Sequence, residues 1–315
     1  MKQDVQFADA DKPVVAGEEH WADKNGIKLF LWEKRRAPGT AYQGTILFIH
    51  GSSWAGQPTF DLYVPGRPYS SVMDWFAVRG YDSWCLDAEG YGRSDKDRDS
   101  NFGIESGADD IVVATDYILK LRGIPNVLLY GVSAGALKCT LFTKRHPERV
   151  ARLALDAFVW TGKDSPTLIE RRKTVPELSK TNRRPFTRQV IQAVFDRDLP
   201  GAAEPSMIEA FAKASLALDD SVPTGTYLDM CTKLPMVDPS DIPVPTIVMR
   251  GEHDGIAHIK DLHAFFERLP NTDKHFALMP GVAHASFQQT NYLLVYHVLY
   301  SFYSQPEPIF WAPKA

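Results

Sequence analysis

The stretch Val127-Leu128-Leu129-Tyr130-Gly131-Val132-Ser133-Ala134-Gly135 decides the fold. A short apolar run of strand length ends in G-x-S-x-G, and residues 136–141 continue as a helix. A serine at so sharp a strand-to-helix turn has strained backbone and a projecting hydroxyl, with glycines on either side that let the chain pass closely. The first N–H groups of the helix then lie beside that hydroxyl, where an oxyanion would form.

Three further stretches put chemistry at strand ends. Upstream, Thr45-Ile46-Leu47-Phe48-Ile49 runs into His50-Gly51-Ser52-Ser53-Trp54. Downstream, Pro245-Thr246-Ile247-Val248-Met249 runs into Arg250-Gly251-Glu252-His253-Asp254, and Phe276-Ala277-Leu278-Met279 leads to Gly281-Val282-Ala283-His284. Open α/β sheets place their sites at such carboxyl ends. The order serine, acid, histidine, behind an oxyanion loop, is that of a nucleophile-elbow hydrolase. Ser133 is therefore the candidate nucleophile, His284 its base and Asp254 the acid that orients the imidazole. Asp156, which also ends a strand, and Glu252 are the alternative acids. His50 and His253 read as neighbouring or turn residues. The candidate oxyanion donors are the N–H groups of Ala134 and Ser52, with Ser53 as the alternative to Ser52. The hydroxyls of Ser52 and Ser53 read as solvated or, less simply, as substrate contacts. Trp54, with Phe60, Tyr63 and Arg67 behind it, is a candidate wall of an apolar pocket.

These stretches resemble the α/β-hydrolase superfamily over residues 18–304. The resemblance is greatest to its capped branch of esterases, carbon–carbon bond hydrolases and lactonases. A fifth match is Asp87-Ala88-Glu89-Gly90-Tyr91-Gly92-Arg93-Ser94, where Glu89 stands in place of the arginine usual in that loop. The resemblance implies cleavage of a small carboxylic ester through an acyl-enzyme, or of an amide, lactone, thioester or carbon–carbon bond by the same groups. A third possibility is a small-molecule receptor that has kept them. Relatives that open epoxides or remove halogens carry aspartate at the elbow, whereas this chain has Ser133.

The alternation of short apolar runs with amphipathic segments predicts a doubly wound, mostly parallel sheet. Predicted helices cover about 70–78, 106–122, 134–146, 259–269 and 287–303. Predicted strands cover about 83–87, 126–130, 150–155, 245–250 and 275–279, behind a hairpin closed at Asn25-Gly26. Core segments of 1–157 and 243–315 flank an insertion at 158–242, broken by prolines into short helices and without a buried strand, that reads as a helical cap. Within it, residues 171–188 carry Arg171, Arg172, Lys173, Lys180, Arg183, Arg184 and Arg188 against Glu177 alone. That run is either a solvated face or an attraction for an anionic substrate.

With 315 residues and 44% hydrophobic composition the chain can bury one large core. Its net charge of −4 argues against a nucleic-acid partner. No stretch approaches the roughly 20 apolar residues of a membrane span, and the amino terminus lacks a signal-peptide core. A cytoplasmic location is expected. Cys85, Cys139 and Cys231 lack metal-ligand spacing and are expected to be reduced; no metal or cofactor is implied. The apolar tail 306–315, with Phe310 and Trp311, is expected to dock on its own core or on a second copy, as in a homodimer.

Overall fold

The computed structural model describes residues 13–307 and residue 309. Phe310, Trp311 and most of the expected apolar tail lie outside the described residues. Among the described residues there are ten strands: β1 (Gly17–Lys24), β2 (Ile27–Lys34), β3 (Gly44–Ile49), β4 (Tyr81–Leu86), β5 (Val127–Val132), β6 (Val150–Asp156), β7 (Arg183–Pro185), β8 (Ser221–Pro223), β9 (Thr246–Gly251) and β10 (Lys274–Met279). Eight of them form one sheet in the order β1-β2-β4-β3-β5-β6-β9-β10. β2 runs antiparallel to β1 and β4, and every other neighbouring pair is parallel. The first hairpin pairs Lys24 with Ile27, and Asn25 and Gly26 take φ of 53° and 89°. Two positive φ values are what a two-residue turn of this hand requires.

Successive side chains of a strand face opposite sides of the sheet, and both sides are covered here. Leu47 and Ile49 pack with helices Ile104–Arg122 and Ala134–Arg145. Ile46 and Phe48 pack on the other side with helices Val72–Ala77 and Tyr292–Tyr303. The three-layer α/β-hydrolase arrangement expected from the sequence is thus present. β4 and β5 lie on opposite sides of β3, so the strand order reverses there. A crevice opens at such a reversal, beyond the carboxyl ends of the strands.

Two expectations need correction. The predicted helix over 287–303 is divided into a 3-10 turn at Ser286–Gln288 and a helix from Tyr292. The cause is Arg67, whose guanidinium donates to the carbonyls of Phe287, Gln288 and Gln289 at 3.1, 3.1 and 2.6 Å. Carbonyls held by a guanidinium are drawn away from helical pairing. The second correction concerns the segment between β6 and β9. It contains helices Pro166–Arg172, Arg188–Asp196, Pro205–Leu216 and Gly225–Thr232, as its proline spacing suggested, but also an antiparallel hairpin of β7 with β8. Three-residue strands are too short to carry a readable period.

Arg67 is buried; it also pairs with Glu204 at 2.6 Å and lies over the ring of Tyr292. It thereby ties the loop after β3 to the chain just beyond His284 and to the insertion, instead of lining a pocket. Replacing it by alanine would leave three carbonyls without their donor, so Arg67→Ala should cost about 3–5 kcal/mol in urea unfolding at pH 7. Arg67→Lys should recover little, because an ammonium cannot reach three carbonyls with a planar fork.

Candidate active site

Ser133 follows β5 with φ 57° and ψ −121°, a conformation that L residues rarely adopt. Its backbone N–H bonds the carbonyl of Asp156 at 2.9 Å, which pins the turn to the end of β6. A Cβ on Gly135 would lie 2.3 Å from the carbonyl oxygen of Ile49, and one on Gly131 would lie 2.5 Å from the carbonyl oxygen of Gly135. Glycine is required at both places by this close approach. Ala134 opens the helix that follows, so its N–H is one of the four with no partner inside the helix.

The side chains that the sequence marked form one line. His284 Nε2 is 3.1 Å from Ser133 Oγ, and its Nδ1 is 2.9 Å from Asp254 Oδ1. Asp254 Oδ1 also accepts the N–H of Ile256 at 2.9 Å. Burial alone would push the Asp254 carboxyl up, but the charge and hydrogen bond of His284, with that N–H, hold it below its ordinary value. The acid turn is stitched to the histidine loop by Glu252 N–H to the carbonyl of Met279 and His253 N–H to that of Val282, both at 2.9 Å. Arg250 donates to the carbonyls of Gly251, Glu252 and Asp254. Glu252 itself bonds the N–H of Gly281 and is half exposed, and His253 is exposed.

The matching family model is that of the serine aminopeptidases, S33, and it covers residues 66–291. The chain belongs to this α/β-hydrolase family. Solved structures agree with the fold. A soluble variant of monoglyceride lipase from Saccharomyces cerevisiae is 18% identical, with a TM-score of 0.65 over 93% of this chain and 96% of that one. An epoxide hydrolase from Vigna radiata is 17% identical, with a TM-score of 0.64 over 91% and 97%. A thermophilic esterase from Thermogutta terrifontis is 17% identical, with a TM-score of 0.63 over 90% and 97%. No curated protein sequence matches. Among the described residues, no helix of this hydrolase is long and apolar enough to cross a membrane.

A cavity of about 40 Å³ faces Ser133. Its wall includes Ser52, Ser53, Trp54, Arg171, Arg197 and Tyr227. Trp54 is held by Phe195 and Phe211 of the insertion, with ring centroids 6.0 and 4.8 Å away. Phe60 lies instead in the core beside Phe48, and Tyr63 bonds Asp61 and Asp74. The serine hydroxyls are not solvated as expected. Among the described residues Ser52 Oγ is buried without a partner, and Ser53 Oγ meets Tyr227 at 3.2 Å and Arg184 at 3.0 Å. His50 is fully buried, with Nδ1 donating to the carbonyl of Gly51 and Nε2 accepting from the N–H of Ala88. Burial and the charge of Lys138 hold it well below its ordinary range, so it is a neutral strut between two loops. Glu89 is answered by Lys24 and Arg98, which restores the charge balance left by the missing arginine.

The basic run divides. Lys173 and Lys180 are exposed and pair with Glu170 and Glu177, and Arg188 meets Glu209. Arg171 lines the cavity and Arg184 lies behind Tyr227. Arg197 and Tyr227 went unrecognised in the sequence. Arg197 falls nine residues beyond the counted run, and nothing near Tyr227 marks it, since only folding brings it to Ser53.

Asp156 does not reach His284. It accepts from Tyr130 Oη at 2.7 Å and from Ser286 Oγ. Burial pushes its carboxyl up to about 6, against the lowering by those two hydroxyls. A folded pKa above the unfolded value means that stability is lost as pH rises from about 4 to about 6. The melting temperature of Asp156→Asn relative to wild type should therefore rise over that interval, by the equivalent of roughly 1–3 kcal/mol. A difference that stays flat from pH 4 to pH 7 would contradict this.

Proposed function

We propose that the protein is a serine hydrolase that cleaves a small carboxylic ester through an acyl-enzyme, with Ser133, His284 and Asp254 as its triad. The observation that carries the reading is the unbroken line Asp254 Oδ1–Nδ1 His284 Nε2–Oγ Ser133 at 2.9 and 3.1 Å. In the first half-reaction Ser133 Oγ bonds to the ester carbonyl carbon while its proton passes to His284 Nε2. The carbonyl oxygen takes the negative charge beside the N–H groups of Ala134 and Ser52, each worth about 3–4 kcal/mol in the transition state. The carbon–oxygen bond to the alcohol then breaks, and Nε2 returns its proton to the departing oxygen. Water repeats the sequence on the acyl-enzyme, giving up a proton to His284, and releases the carboxylic acid.

Asp254, ionised and buried, fixes the imidazole so that Nε2 faces Ser133 as an acceptor. The insertion between β6 and β9 acts as the cap. It supplies Arg171, Arg197 and Tyr227 to the cavity wall and excludes bulk water from the reacting atoms. The small cavity favours short acyl chains.

Wild type should hydrolyse p-nitrophenyl butyrate at least about tenfold better in kcat/KM than the octanoate, each added methylene being worth about 1–3 kcal/mol in a confined pocket. Ser133→Ala should lose about 10⁴-fold or more in kcat, and Asp254→Asn about 10⁴-fold. Hydrolysis that survives in Ser133→Ala would overturn the mechanism.

A further inference from the structure

We propose that the ester carries a carboxylate, and that Arg171 and Arg197, reaching down from the insertion beside Tyr227, form the subsite that binds it. This rests on the reading of Ser133 as the nucleophile facing the same cavity. Three guanidinium groups converge around Tyr227. Arg171 and Arg184 lie 3.7 and 3.9 Å from its ring centroid. Two guanidinium planes cannot share one face at that distance, so the ring is held between them. Arg197 joins them in the cavity wall and is paired with Asp198 at 2.7 Å.

The charges in this group do not balance. Among the described residues Arg171 has no carboxylate partner; its polar contact is Met230 Sδ at 4.0 Å. Arg184 also lacks one and donates to the carbonyl of Ser52 at 2.8 Å and to Ser53 Oγ, while its Nε is buried without a partner. Asp198, the acid at hand, is taken by Arg197, and Asp254 by His284. Leaving a largely buried cation unmatched is unfavourable, and a bound anion removes that penalty. The phenol of Tyr227 senses the same field. Burial alone would raise its pKa, but Arg184 and Arg171, with the Ser53 hydrogen bond and Arg197, bring it down to about 7.

The geometry suits a carboxylate in particular. A guanidinium presents parallel N–H donors that match two oxygens of a planar anion. Arg171, Arg197 and Ser133 line the same cavity, so an anion held by the arginines lies in the space that the nucleophile faces. Lys173 and Lys180 of the same basic run are exposed and pair with their own glutamates, whereas Arg171 and Arg184 have no such partner among the described residues.

The test separates binding from turnover. Ser133→Ala is titrated calorimetrically at low ionic strength with monomethyl glutarate and with methyl valerate, its uncharged analogue. The monoester should bind at least tenfold more tightly, and added Arg171→Gln or Arg197→Gln should each reduce that advantage severalfold. Arg197→Gln, at the more open rim, serves if Arg171→Gln fails to melt cooperatively. Equal affinity for the two esters, or an advantage that both substitutions leave intact, would overturn the subsite. Tight, arginine-dependent binding without hydrolysis by wild type would keep the subsite and overturn the esterase reading alone. In wild type, kcat/KM for p-nitrophenyl hemiglutarate over the valerate, and for 4-carboxyphenyl butyrate over phenyl butyrate, shows whether the carboxylate belongs on the acyl or the alcohol side. A preference in either pair supports the proposal, and a preference in neither counts against it.

Discussion

The structure depends on how closely the exits of β3 and β5 approach one another. The helix that begins at Ala134 passes so near the end of β3 that residue 135 has no room for a side chain against Ile49 and His50. Across the gap, a Cβ on Gly51 would stand 3.4 Å from Ser133 Cβ. That proximity brings the loop after β3 against the serine turn. It also forces Ser133 into its positive φ, a strain of about 1–3 kcal/mol. The bond to the carbonyl of Asp156 and the buried helix behind offset the strain. A looser junction would relieve the serine.

Around this junction the protein holds polar groups in fixed roles. His50 joins its own loop to the one after β4, and Asp87 accepts the N–H groups of Gly56 and Arg93 from two further turns. Burial pushes Asp87, like Asp156, up to about 6 despite the backbone donors it accepts. Asp254 alone of the three is held down, and it is the one that bonds the imidazole of His284. Asp156 and Asp254 therefore differ in the direction of their shift, and that difference follows from their partners.

The sequence was most legible where the requirement is local. Gly131, Ser133 and Gly135 sit within one turn, and His284 and Asp254 each end a recognisable strand. The sheet followed from alternating apolar runs, and its helices were misjudged mainly where a distant side chain intervened, as Arg67 does beyond Ser286. The cavity wall was less legible. Tyr227 reaches Ser53 across 174 positions, and no local pattern distinguishes it from other tyrosines. The basic run showed an excess of charge over one acid, but Glu170 just outside it cancels part of that excess. Which arginines face inward depends on the turns between short helices, and composition does not encode those turns.

The carbonyl of Ser52 is anchored from two directions, by Tyr91 Oη of the core at 3.0 Å and by Arg184 of the insertion at 2.8 Å. Among the described residues, the neighbouring Ser53 hydroxyl is bound by the insertion alone. The loop 51–54 and the insertion are thus a single mechanical piece, although more than a hundred residues separate them in the chain. Exchanging the insertion for that of another hydrolase would carry away half the anchorage of this loop. A chimera would keep its geometry only if loop and insertion were transplanted together, and the two are expected to have diverged as one inherited unit.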